Sequence, residues 1–385
     1  MSIEVGEHNL DLAEYRQGLR RMLADRNDTL DRWRRHYATV EETVAEHAQL
    51  VRLLHDSGWS RYGWPESVGG VGGDERHRAM LYDELAAAGL PIPEQYLPLE
   101  TLGPAMLHFA PEAAAELLPA YLRGDEWWGQ GFSEPEAGSD LASLRCRAVR
   151  EGDEYVVTGQ KIWTSHGATA RRLMCLVRTG TPDSRHRGLS MLLIDTDTPG
   201  VLVRPLALAS GRNELAEVFF DGVKVPAGRL IGGEGQGWAV AMYLLQWERS
   251  MFAWQCSATI LRVLRTLRDD LAGSSAMPAD AAARLARSYI DVVKLRARTV
   301  QTITRLAAGE AVGPEVSVDK ILLAGADQGA FDTVRDLSES YFTLGQGMGS
   351  QRSDWWYSRS ATILGGSAEV QRGILADRVL NLPKD

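Results

Sequence analysis

Apolar positions change their period twice along the chain. Up to about Trp128 they recur at steps of three and four among charged residues, as in Val40 to Leu54, Ala79 to Ala88 and Pro111 to Leu122, which predicts amphipathic helices. The clusters Gly69-Gly-Val-Gly-Gly73 and Leu90-Pro-Ile-Pro93 punctuate them. From about Gly129 to Leu230, short β-branched or alternating runs take over: Tyr155-Val-Val-Thr158, Leu173 to Val177, Leu189 to Ile194 and Val218-Phe-Phe220. Turn signals at Glu151-Gly-Asp153, Thr198-Pro-Gly200 and Asp221-Gly222 divide these runs, the pattern of an antiparallel sandwich or barrel. Beyond Gly232-Gly-Glu-Gly-Gln-Gly237 the helical period returns. Leu244, Trp247, Met251, Trp254, Ala258 and Leu261 mark one long helix, and Asp280 to Ala308 reads as another, with Gly309 just past its end. The pattern predicts an α+β protein with a helical domain over 1–128, an antiparallel β domain over 129–231 and a helical bundle over 232–385.

Composition narrows the function classes. At 385 residues and 44% hydrophobic content, the chain can bury the cores of two or three domains. A formal net charge of −9 without any block of Lys or Arg argues against general nucleic-acid binding, and a polyanionic ligand would need a local basic site. The segment Met1 to His8 lacks the marks of a secretory or transit peptide, and no run is long enough to span a bilayer. Three cysteines without metal-like spacing point to a reducing cytoplasm and read more readily as small core residues than as a catalytic thiol. Eight scattered histidines predict no metal. The glycine runs Gly345-Gln-Gly-Met-Gly349 and Gly69 to Gly73 lack the strand-turn-helix setting and the Lys-Ser or Lys-Thr of a phosphate loop, and read as turns.

Two segments carry the chemistry, Gly131-Phe-Ser-Glu-Pro-Glu-Ala-Gly-Ser-Asp140 and Gly159-Gln-Lys-Ile-Trp-Thr-Ser165. Together they resemble the flavin-facing strands of acyl-CoA dehydrogenases, and Arg359 to Leu380 resembles that family's last segment. The resemblance covers essentially the whole chain and implies the family fold, with a C-terminal four-helix bundle. It also implies FAD, contacted by the Phe132 backbone, Ser133, Ser139, Trp163 and Ser165, with Ser367 and Glu369 at cofactor-contacting positions of the last segment. Hydroxyls and amides suit a neutral ring rich in acceptors, and Trp offers a π face; a lone Trp in a strand is otherwise usually core.

Oxidising a thioester between its α and β carbons requires a base, a carbonyl-polarising site and a hydride acceptor. Many family members carry the base just before a Gly in the last segment, where this chain has Gly365. A second group places a Glu before an Arg on the first long helix of the last domain, and Gln246-Trp-Glu-Arg-Ser250 fits that pattern. The resemblance therefore assigns the base to Glu248, a thioester-polarising backbone N–H to Gly365 and an orienting role to Arg249. Leu244 and Phe252, one turn to either side, place Glu248 on an apolar face, where burial would raise its pKa. The competing readings are a solvated helix charge for Glu248, a structural ion pair for Arg249 and an ordinary loop glycine for Gly365.

The Arg and Phe-Gly motif that reaches the neighbouring subunit's flavin in many relatives is missing from Arg265 to Arg284. Bacterial relatives lacking it include some that act on sterol side chains and some built from two unlike subunits. The implied partners are an acyl-CoA and an electron-transfer flavoprotein, in a homo-oligomer (dimer or tetramer) or a heterotetramer with a related chain. The alternatives are a catalytically quiet subunit of such a heteromer and a flavin monooxygenase or oxidase on the same fold. Leu90 to Pro98 falls where relatives form the far wall of the acyl pocket, and its prolines predict a broken helix there. That break suggests a branched, long or ring-bearing acyl group, carried on CoA or on an acyl carrier protein.

Overall fold

A computed structural model describes residues 10–273, 278–344 and 349–383. The segment Met1 to His8 and most of the Gly345 to Gly349 run lie outside them. Six helices come first: α1 (Leu12–Asp25), α2 (Asn27–Leu30), α3 (Val40–Asp56), α4 (Glu75–Ala87), α5 (Tyr96–Phe109) and α6 (Pro111–Leu122). Their starts follow local chemistry. The Asp11 carboxylate accepts from the N–H groups of Ala13 and Glu14, Thr39 accepts from Glu42, and Pro111 supplies the preset φ of a first helical residue. The prolines of Leu90 to Pro93 do break the helical run, which resumes at Tyr96. Gly69, Gly72 and Gly73 all have positive φ in the turn that bridges back to Trp64, as their glycine-rich run predicts.

The middle of the chain forms β1 (Trp128–Gly131), β2 (Arg147–Glu151), β3 (Glu154–Ser165), β4 (Arg172–Arg178), β5 (Leu189–Asp195), β6 (Val201–Pro205), β7 (Leu215–Pro226) and β8 (Leu230–Ile231). They make one sheet in the order β6-β7-β3-β2-β4-β5-β8, with β1 also on β4. The sheet is not wholly antiparallel as the alternation predicts, because β1 and β2 both run parallel to β4, end to end along its edge. The chain leaves that edge after Gly131 and rejoins it at Arg147, so Phe132 to Cys146 project from the sheet.

Every residue of β4 is buried, and its two faces feed different cores. Met174 and Leu176 join a large core that runs through Leu50, Leu85 and Leu102 to Leu244. Leu173, Cys175 and Val177 join Tyr155, Val157, Val218 and Val223, so the sheet curls around a second core of its own. Cys146 and Cys175 are buried there, and burial pushes the Cys146 thiol up to about 11.

The carboxyl-terminal helices are α7 (Gly237–Ala272), α8 (Ala281–Ala307), α9 (Ser317–Leu344), α10 (Gly349–Ser358) and α11 (Ala368–Arg378). Ala253, Ile260 and Leu264 of α7 pack on Val292 and Leu295 of α8 and on Leu323 and Ala330 of α9. Gly309 has φ +71 past the end of α8, the left-handed conformation that a helix C-terminus uses glycine to adopt.

Two contacts tie the projecting segment to β3. The Lys161 ammonium, with no solvent exposure, donates to Phe132 O at 3.1 Å and to Glu134 Oε1 at 2.7 Å. The Ile162 N–H donates to Ser133 O at 3.0 Å. Glu134 is saturated in turn by the N–H groups of Arg145 and Cys146. Removing one member of a buried ion pair strands the other, so Lys161→Met is expected to destabilise the fold by about 3–5 kcal/mol. Urea unfolding at neutral pH measures it, and an unchanged midpoint would refute the assignment.

Candidate active site

Glu248 lies about a third of the way along α7. Burial raises its pKa above the usual carboxylate range, opposed by Arg249, by Lys320 and by a hydrogen bond with the Gln130 side chain. Gln130 belongs to β1 and stands two residues before Phe132, so Glu248 is linked directly to the strand that leads into the projecting segment. Arg249 forms no ion pair with Glu248 within 4.0 Å among the described residues; its Nε is buried without a partner, and burial lowers its pKa.

Gly365 closes the other side. A Cβ placed on it would lie 2.5 Å from Glu248 Oε1 and 3.3 Å from Lys320 Cε, and its φ of +65° suits glycine. The neighbouring Gly366, φ +96°, is equally hemmed by Gln371 Nε2. The carboxylate of Glu248 therefore occupies the space from which a side chain at 365 would start. A side chain at 365 and the Glu248 carboxylate therefore exclude each other on steric grounds. Ser360 O takes the N–H groups of Ile363 and Leu364, and Gln371 donates to Gly365 O at 3.3 Å. The Gly365 N–H has no partner within the described chain.

Lys320 and Gln371 carried no signal in the sequence that could have selected them. Lys320 is buried, donates to Ala361 O at 2.6 Å and so holds the turn that presents Gly365. Burial lowers its pKa and Glu248 opposes the shift.

On the β side, Trp163 sits where the β3–β7 register slips between Lys161 and Thr164, with φ +61° and 56% exposure. A bulky residue in the left-handed region is strained, and such bulges re-aim a side chain. Ser165 and Ser139 are exposed and Ser133 is half-buried, and their hydroxyls have no partner among the described residues, whereas Phe132 is buried. An exposed indole with uncommitted hydroxyls and amides fits a flavin ring. Ser367 serves as N-cap of α11, accepting from the Val370 N–H at 3.3 Å, and Glu369 stands exposed in that helix's first turn. Among the described residues, no group of three or more His, Cys, Asp or Glu could hold a metal ion, and no helix is long and apolar enough to cross a membrane.

Sequence models of three acyl-CoA dehydrogenase domains match the chain: the N-terminal domain over residues 11–125, the middle domain over 129–223 and the C-terminal domain over 235–380. The chain belongs to the acyl-CoA dehydrogenase family, a family of flavin-dependent oxidoreductases. Among its relatives, the acyl-CoA dehydrogenase IpdE1 of Mycobacterium tuberculosis is 35% identical over 352 residues, covering 89% of this chain and 90% of that protein. The Tcur3481-Tcur3483 steroid ACAD superposes with a TM-score of 0.81 at 27% identity, covering 97% of this chain and 98% of its own. The ChsE4-ChsE5 complex of Mycobacterium tuberculosis superposes with 0.79 at 26% identity, covering 98% and 100%.

The crowding at Gly365 generates a test. Gly365→Ala forces a Cβ against the Glu248 carboxylate in a left-handed backbone, so a loss of about 1–2 kcal/mol is expected, together with a changed Glu248 titration. Thermal unfolding alongside a pH–rate profile checks both.

Proposed function

We propose that this chain is an FAD-dependent acyl-CoA dehydrogenase that introduces an α,β double bond into an acyl thioester, with Glu248 as the base. The observation that carries the reading is the convergence of a desolvated carboxylate and a free backbone N–H on one point. Glu248 Oε1 and the Gly365 backbone lie side by side there, and Gln130 ties that point to the strand leading into the projecting segment.

In this reading Glu248 removes the α-proton, and its raised pKa matches it to a weakly acidic carbon. The Gly365 N–H donates to the thioester oxygen, where negative charge develops as the proton leaves. Lys320 fixes the turn that aims this N–H, through Ala361 O. Trp163, Ser133, Ser139, Ser165 and the Phe132 backbone hold the flavin ring, with Ser367 and Glu369 at the edge of the site. FAD, when bound, accepts the hydride that leaves the β-carbon. Electron-transfer flavoprotein is the electron partner of this reading, and CoA is the carrier. The naming of one relative as a steroid ACAD supports a ring-bearing acyl group.

A related chain as partner in a heterotetramer is a second reading, favoured by a specific surface. Ile290, Val293 and Val300 are exposed along one stripe of α8. Two of the similar solved structures, moreover, bear the names of two chains. Sedimentation of the purified chain alone and with a co-expressed relative separates homo- from hetero-assembly.

Glu248→Gln is expected to slow anaerobic flavin bleaching by acyl-CoA at least 100-fold while leaving bound FAD intact; normal bleaching would sink the assignment. The base works deprotonated and its pKa is raised, so the rate should fall as pH drops through a value above the ordinary carboxylate range. Lys320 opposes that rise, so Lys320→Met should move the acid limb to still higher pH. Stopped-flow bleaching across pH measures both limbs.

A further inference from the structure

β2 runs on past the end of its neighbour. It meets β4 only where Arg147 pairs with Arg178, because β4 stops there and the chain turns away through residues 179–188 before β5 begins. Beyond Arg147, the β4 side of β2 has no strand beside it among the described residues. The gap left between β2 and that connection is a cleft of about 950 Å³, at the upper end of the range for small-ligand sites. One side chain holds its two walls. Arg178, 5% exposed, donates to Ala142 O at 2.8 Å and Leu144 O at 2.9 Å on one wall, and to Thr181 O at 3.2 Å and Arg185 O at 3.0 Å on the other. With its donors spent on backbone carbonyls, this guanidinium fixes the shape of the cleft and leaves ligand binding to others.

The other charged groups of the lining are Arg145, Arg147, Arg150 and Arg185 against a single carboxylate, Glu234, which accepts from the Tyr155 hydroxyl at 2.8 Å. Arg185 pairs with Asp140 at 2.8 Å and Arg145 with Glu136 at 3.0 Å, but both pairs stand in water, where such contacts are weak. Arg150 finds the Gly152 carbonyl at 3.2 Å and the Tyr155 ring, and no carboxylate. Arg147 is exposed and has no hydrogen bond or ion pair among the described residues. On a chain of formal net charge −9, the cleft is thus a local positive site of the kind a polyanionic ligand requires. Apolar surface lies among these charges: Val149 is 38% exposed on the same strand, and Pro182 lines the opposite wall. Guanidinium forks match phosphate oxygens, and an apolar patch beside them suits a flat ring.

We propose that this cleft binds a phosphorylated nucleoside, its phosphate oxygens accepting from Arg147 and Arg150 and its base lying against Val149 and Pro182. The nucleotide end of a CoA thioester and a free nucleotide share this chemistry. The cleft adjoins the projecting segment, since Asp140, the partner of Arg185, directly follows Ser139. Neither Glu248 nor Gly365 takes part, so the site stands or falls apart from the base assignment.

Isothermal titration of the flavin-loaded protein with adenosine 3′,5′-bisphosphate, ATP and adenosine tests it; bound FAD keeps the cofactor's own nucleotide position filled. At least one of the two phosphorylated ligands should bind, and adenosine should bind about a hundredfold more weakly or not at all. Arg147→Met should weaken the phosphorylated ligand by about tenfold and Arg147→Lys by less. Arg21→Met, which removes an exposed charge from α1, should change nothing. Displacement by coenzyme A would assign the site to the nucleotide end of the thioester, whereas ATP binding that persists in saturating coenzyme A would assign it to a free nucleotide. The proposal is overturned if neither phosphorylated ligand binds the wild type, if Arg147→Met binds as the wild type does, if Arg21→Met loses as much, or if nucleotide binding releases FAD.

Discussion

One buried ammonium sets the relation between β3 and the segment that projects from the sheet edge. Lys161 has no solvent contact, and its charge is met by a carboxylate and a carbonyl that both belong to the segment projecting from the sheet edge. A charge this deep tolerates only the arrangement that satisfies it. Three residues of β3 then follow with little freedom: Ile162 is held by Ser133 O, Trp163 is turned outward at the register slip, and Ser165 ends the strand. The surface around Trp163 is thus built from backbone registration more than from side-chain packing.

The surroundings of Glu248 are arranged by exclusion. Glu248, Lys320 and Gln371 fill the space around Gly365 and Gly366 so closely that neither glycine can bear a side chain without displacing one of them. That crowding is also what desolvates the carboxylate. The positive charges nearby moderate the shift, and among the described residues none forms an ion pair with Glu248, so its pKa stays raised.

Much of this was legible in the sequence. Long periodic stretches such as the α7 and α8 runs declare themselves because their buried faces repeat many times, and the segments 131–140 and 159–165 carry unusual spacing. Short strands did not: β1, β6 and β8 have too few residues to show a period, and the parallel docking of β1 and β2 on β4 depends on where the chain re-enters the sheet. Glu248 was findable from its Glu-Arg setting. Lys320 was not, because a lysine in a helical run is ordinarily a surface residue, and only the path of the 361–366 turn over α9 takes it out of water.

Carrying the carboxylate on the long helix and not on the terminal turn divides the labour of the site. The carboxylate inherits the rigidity of a 36-residue helix packed on two others, while the turn has only to present an N–H. Mutational drift in the last segment can therefore reshape the turn without moving the Glu248 carboxylate. Drift in α7 moves the carboxylate and the packing of three helices together, since that one helix bears both. Change around the carboxylate is accordingly cheapest in the elements opposite α7, which border it without carrying it.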